Sequence, residues 1–193
     1  MRGVGPIGDA VLCYTHSAGA ARGRVPMRGV LERLVDVLRR AGHRPMVPVP
    51  VGVASDGAEL WLRWLQALEA TREGAPLWLL PNMRLCWPEE ANGLLRALRM
   101  GPEAARWMSD RDLPLCGDPD EGCLLLSDRG IEAIGAGPGA VLEVLPGELP
   151  RLRAPDMAGW LEQVVRLYAN AQLEVDEDGW VAPRLPAGDA GHG

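Results

Sequence analysis

The residues of this chain that could do chemistry are few and scattered. Cys13 and His16 are close enough in sequence to pair as thiol nucleophile and base, but no third group stands nearby to orient the imidazole. His43 falls at the end of an expected helix and His192 in the terminal tail. Cys116 and Cys123 flank the turn GDPDEG and can approach each other across a hairpin. Six intervening residues, an acidic turn and no neighbouring histidine do not match a structural zinc site, which favours a role as small buried hydrophobes. Asp118, Asp120 and Glu121 supply oxygen atoms without the spacing of a calcium loop, and read as a solvated turn. The glycines of IGAGPGA, residues 134–140, suggest a phosphate cradle, but the AVLEVL that follows is strand-like where a dinucleotide site needs a helix N-terminus. A chain without lysine also has no Walker lysine. The expectation is a protein with no catalytic residues, no metal and no cofactor.

What remains is charge and aromatic surface. The 193 residues carry a formal charge of −6, distributed unevenly: residues 1–50 sum to +5 and residues 51–193 to −11. An acidic body repels phosphate backbones, which argues against nucleic acid, and favours basic partners. Arginine supplies every basic charge beside abundant Ala, Gly, Leu and Pro, a bias that G- and C-rich codons produce and that weakens any argument from arginine clusters. The four cysteines show no CxxC pair, which fits reduced thiols, and no signal-type or membrane-spanning apolar run is present, so a cytoplasmic protein is expected.

The elements that must position these residues are clearest near the C-terminus. Met157, Trp160, Leu161, Val164, Val165 and Tyr168 recur at helical spacing, and Pro155 is expected in the first turn with Asp156 beside it complementing the helix dipole. LEVDEDGW then reads as a short extended exit closed by a turn at Asp178-Gly179. Upstream, AVLCY at 10–14 is strand-like, and helices are expected over 27–41, over 56–72 with Ser55 or Asp56 as cap, and from Pro88 to the Gly101-Pro102 stop. Between the first two, HRPMVPVPVGV allows only an edge strand or an extended connector, because proline donates nothing to a ladder. PLWLLP reads as a short strand. Residues 113–152 form the segments LPLC, CLLLS, IEAI, AVLEVL and ELPRL with short turns between them, which forces antiparallel pairing. The fold class expected is α+β: a mainly antiparallel sheet, with its meander in 113–152, packed by three or four amphipathic helices. The expected organisation is a basic segment at 1–54 packed on, or swapped across a homodimer with, a main domain at 55–182, followed by a disordered tail at 183–193.

Ala154-Pro155, Trp160-Leu161 and Glu174 to Gly179 together resemble the C-terminal part of the SUKH superfamily, where a helix begun by Ala-Pro and carrying Trp-Leu leads into "EVDEDG". Pro88 to Ala91 resembles the middle of that pattern. Leu113-Pro114-Leu115, Asp118, Gly122 and Leu124 to Leu126 follow it loosely, without the family's Trp beside that Pro, while residues 1–54 have no counterpart. The resemblance implies an α+β interaction domain. In bacteria it implies an immunity protein that neutralises a cognate toxin, and in fungal relatives a regulatory scaffold; a housekeeping scaffold and a small-ligand-binding or enzymatic domain are the alternatives. For an immunity protein meeting a basic toxin, the expected partner surface comprises Asp118, Asp120 and Glu121, then Glu174, Asp176, Glu177 and Asp178, with an aromatic anchor at Trp107 or Trp180.

Overall fold

The computed structural model describes residues 26–43, 46–51, 57–71, 76–101, 104–118 and 122–184. The strand expected at 10–14, the Cys13–His16 pair and the Ser55 or Asp56 cap lie outside them. In chain order the helices are α1 (Met27–Arg40), α2 (Gly57–Glu69), α3 (Pro88–Arg99), α4 (Ala104–Trp107) and α5 (Met157–Ala169). The strands are β1 (Trp78–Leu80), β2 (Met83–Arg84), β3 (Leu113–Asp118), β4 (Gly122–Leu126), β5 (Val141–Val144), β6 (Arg151–Ala154), β7 (Leu173–Val175) and β8 (Val181–Pro183). The class is α+β, and among the described residues every strand pairing is antiparallel. β8 ends inside the stretch expected as a tail.

The centre is a four-stranded meander in the order β3-β4-β5-β6. Successive strand residues point to opposite faces, and here both faces are apolar. Leu124 and Val141 pack with α1, α2 and α5, whereas Cys123, Leu125 and Val144 pack with Ala91, Leu94 and Leu95 of α3. A sheet that is apolar on both sides must be covered on both sides, so helices flank it as outer layers. IEAI, expected as a strand, is not one. Ile131 makes a single bridge to Ala136 around a 3₁₀ turn at Glu132–Ile134, and Ile131, Ile134, Ala136 and Ala140 pack over Leu142. Its apolar residues cap the sheet because the turn at Gly135, with φ of +69°, ends it before a strand can extend.

The larger core holds three tryptophans in contact. Trp61 lies 5.2 Å from Trp64 and 6.1 Å, edge-on, from Trp160, and all three are buried. The proline-rich 46–51 is a connector without strand pairing. Its prolines lack donors but its carbonyls accept, Val47 O from the Trp64 indole N–H at 3.3 Å and Pro50 O from Arg28 at 2.9 Å. α1, from the segment set apart as 1–54, packs against α5 in the same core, with an Arg33–Glu162 ion pair between the two helices.

α5, expected from residue 155, starts two residues later, at Met157. Asp156 is its N-cap, accepting a hydrogen bond from Gly159 N–H at 2.7 Å, and Pro155 stands just outside. A side-chain oxygen satisfies an orphan donor, which proline cannot do. α1 and α5 end alike, each with paired Schellman bonds: His43 N–H to Leu38 O and Gly42 N–H to Arg39 O in α1, Gln172 N–H to Leu167 O and Ala171 N–H to Tyr168 O in α5. The left-handed residue is Gly42 in the first, at φ +103°, but Ala171 in the second, at φ +52°.

Two substitutions check this packing. Trp160→Ala should lower unfolding stability by about 3–5 kcal/mol in denaturant titration, as deletion of a buried aromatic does. Ala171→Gly should raise it by about 0.5–1 kcal/mol, because a methyl group in the left-handed region is strained.

Candidate functional site

β7 and β8 form a hairpin in the register Leu173↔Pro183, Glu174↔Ala182 and Val175↔Val181. Leu173 and Val181 are buried against the core, which leaves Glu174 exposed on the other side. Asp176 builds the tip. Its Oδ1 accepts from Asp178 N–H at 3.0 Å and from Trp180 N–H at 2.8 Å, while its own N–H donates to Trp180 O and its carbonyl accepts from Gly179 N–H. Gly179 sits at φ +81°, the left-handed position such a turn requires. The sequence Asp176 to Trp180 is thus a self-capped loop held in one conformation.

The tip carries an aromatic side chain into solvent. Trp180 is 41% exposed, and its ring lies 4.1 Å from that of Trp78 on β1, tilted by 48°. Around it in the chain, Glu177 and Asp178 are exposed with no ion pair among the described residues, and Glu174 shares its charge with Arg184 at 3.8 Å. The structure therefore brings Glu174, Asp176, Glu177, Asp178 and Trp180 together on one hairpin. It does not bring Trp107 there. Trp107, on α4, is half-buried against the α3-side cores, with its indole N–H buried and without a partner among the described residues. That is the opposite face of the sheet from the core that Trp78 packs on. Asp118 ends β3 opposite Gly122, and Asp120 and Glu121 lie outside the described residues. Trp78 is the contributor that sequence reasoning missed; the only signal was its alternation with Leu79 in WLL, which puts the two on opposite faces.

The three described cysteines and Asp112 are committed to structure. Cys116 and Cys123, placed diagonally across β3 and β4, pack into different cores, and Cys86 joins the core of Cys123. Burial pushes the thiols of Cys86 and Cys123 up to about 12 and that of Cys116 well above its usual value, so all three are protonated and poorly nucleophilic. Gly117 separates them because nothing larger fits: a Cβ there would lie 2.4 Å from the Cys123 Cα. Buried Asp112 accepts from Ser109 N–H at 2.7 Å and Asp128 N–H at 2.8 Å, tying two loops together. Among the described residues, no group of three or more His, Cys, Asp or Glu is placed to hold a metal ion. No described helix is long and apolar enough to cross a membrane.

A cleft of about 400 Å³ opens between the ends of α1 and α5 and the base of the hairpin, lined by Val37, Ala41, Ala169 and Leu173, with Arg40 and Glu174 at its edge. Tyr168, which also lines it, donates its hydroxyl hydrogen to Leu79 O at 3.0 Å and accepts from His43 Nε2 at 3.1 Å. This requires a hydrogen on Nε2, which the Nε2–H tautomer of the neutral imidazole supplies. The contact joins α1, α5 and β1, and β1 in turn carries Trp78. Comparison with known proteins gives no matching family model, no matching curated protein and no matching solved structure.

Burial lowers the pKa of His43 from 6.5 to about 4. Between those values the unfolded chain binds more protons than the folded one, so the stability held by neutral His43 is complete above pH 6.5 and falls as pH drops toward 4. The whole window amounts to roughly 3 kcal/mol. His43→Gln, which keeps a donor for Tyr168 but does not titrate, should remove this part of the pH slope in urea unfolding measured across the window.

Proposed function

We propose that this chain is a non-enzymatic protein-interaction domain, an immunity protein of SUKH type that binds and neutralises a basic bacterial toxin through the β7–β8 hairpin. The observation that carries this reading is Trp180: a large aromatic side chain left 41% exposed at the tip of a rigid, acidic turn. Leaving an indole in water forfeits transfer free energy, and holding it there with capped backbone bonds prepares it for a partner at little further entropic cost. Hot spots combine such an anchor with a polar rim. The rim here is acidic, and the body's charge of −11 over residues 51–193 adds a long-range field that would draw in a basic protein and disfavour nucleic acid. The match of Glu174 to Gly179 to the SUKH pattern falls on this same hairpin, and it is this resemblance that specifies a toxin as the partner.

The test uses the purified product of a toxin gene adjacent to this one. Changing Glu174→Gln, Glu177→Gln and Asp178→Asn together leaves the Asp176 cap intact. It should slow association by about tenfold at low ionic strength and flatten its salt dependence, with the dissociation rate little altered. Trp180→Ala should act the other way, speeding dissociation and costing at least about 2 kcal/mol of affinity. Equal binding by all three proteins would contradict the proposal.

A further inference from the structure

We propose that the open side of the Trp180 indole is a receptor for a cationic side chain, specifically an arginine guanidinium on the surface of a basic protein partner. This deepens the reading of the hairpin as a partner surface and rests on it. The site is aromatic first: the Trp78 ring lies 4.1 Å from that of Trp180, tilted by 48°, and Trp180 is 41% exposed to solvent. The tilted contact with Trp78 limits the ring, and the hydrogen bond from the Trp180 backbone N–H to Asp176 fixes the main chain that carries it, so a ligand has less to order. An indole face carries negative electrostatic potential and attracts a cation more strongly than any other side-chain ring.

The surroundings select the sign and kind of ligand. Glu177 and Asp178 are exposed and make no ion pair among the described residues, whereas Glu174 is already shared with Arg184. An anionic or phosphate-bearing ligand would meet uncompensated repulsion, and a purely apolar one would strip water from two carboxylates with nothing in return. A cation satisfies both the ring and the acids. Guanidinium fits better than ammonium because it is planar, weakly hydrated and able to stack while its N–H groups reach carboxylates.

The experiment measures binding of hexa-arginine, hexa-lysine and hexa-citrulline peptides to the full chain, to Trp180→Leu and to Trp180→Phe. The citrulline peptide keeps the shape and removes the charge. For a cation held on an exposed indole, Trp180→Leu should raise the dissociation constant for hexa-arginine by about two- to fivefold, with a smaller rise for Trp180→Phe and for hexa-lysine on either variant. Neither variant should change the response to hexa-citrulline. With the tryptophans replaced by 5-fluorotryptophan, hexa-arginine should move, in the unsubstituted chain, the fluorine resonance that Trp180→Phe removes. Unchanged hexa-arginine affinity in Trp180→Leu, an equal loss for hexa-citrulline, or a Trp180 resonance that stays fixed at saturation would each overturn the proposal. Its failure is separable from that of the immunity reading: a toxin that still binds through Trp180 would need an apolar contact there, whereas peptide binding without toxin binding would leave the receptor and remove the immunity role.

Discussion

The architecture depends on one constraint: the central strands of the sheet have no polar face. In β4 and β5, Cys123, Leu124, Leu125, Val141, Leu142 and Val144 are all buried, whichever way they point. Water must be kept from both sides, which α1, α2 and α5 do on one and α3, α4 and the Ile131–Ala140 loop on the other. The exception is Glu143, buried on β5, ion-paired to Arg153 and left with one carboxylate oxygen without a partner among the described residues. A buried charge stripped of its partner is costly, so Arg153 is as fixed as any core residue.

Covering the sheet also fixes where the hairpin emerges. α5 docks through Trp160 on Trp61, runs to Tyr168, and there meets His43 and Leu79 in a buried hydrogen-bonded contact. The chain then reverses at Ala171 directly into β7. The position of Trp180 over Trp78 therefore follows from the same packing that stabilises the core. This couples stability to the proposed recognition surface: β1 carries Leu79, which accepts from Tyr168, and beside it Trp78, which contacts Trp180.

Much of this was legible in the residues. The stripes of α1 and α5, the Pro88 start of α3 and the turn-punctuated meander each rest on local periodicity, which does not depend on distant parts of the chain. Errors came where tertiary packing decided the outcome. IEAI has strand composition, yet its apolar residues cap the sheet around Gly135, and Asp156 rather than Pro155 begins α5 because a capping oxygen outweighs a merely compatible ring. The candidate site was half legible. Glu174 to Asp178 and Trp180 are contiguous and so share a hairpin, but Trp78 lies far away in sequence, and nothing local pairs it with Trp180. Trp107 looked equivalent to Trp180 from composition alone; the two-faced sheet separates them.

The central proposal, that recognition runs through the acidic hairpin and its paired tryptophans, is tested most directly by amide hydrogen exchange of the full chain with and without the proposed basic toxin. The account predicts new protection concentrated in residues 173–181 and in β1 around Trp78, with α3 and α4 unchanged. Protection confined to the α3 and α4 side, with the hairpin exchanging as in the free protein, would contradict it.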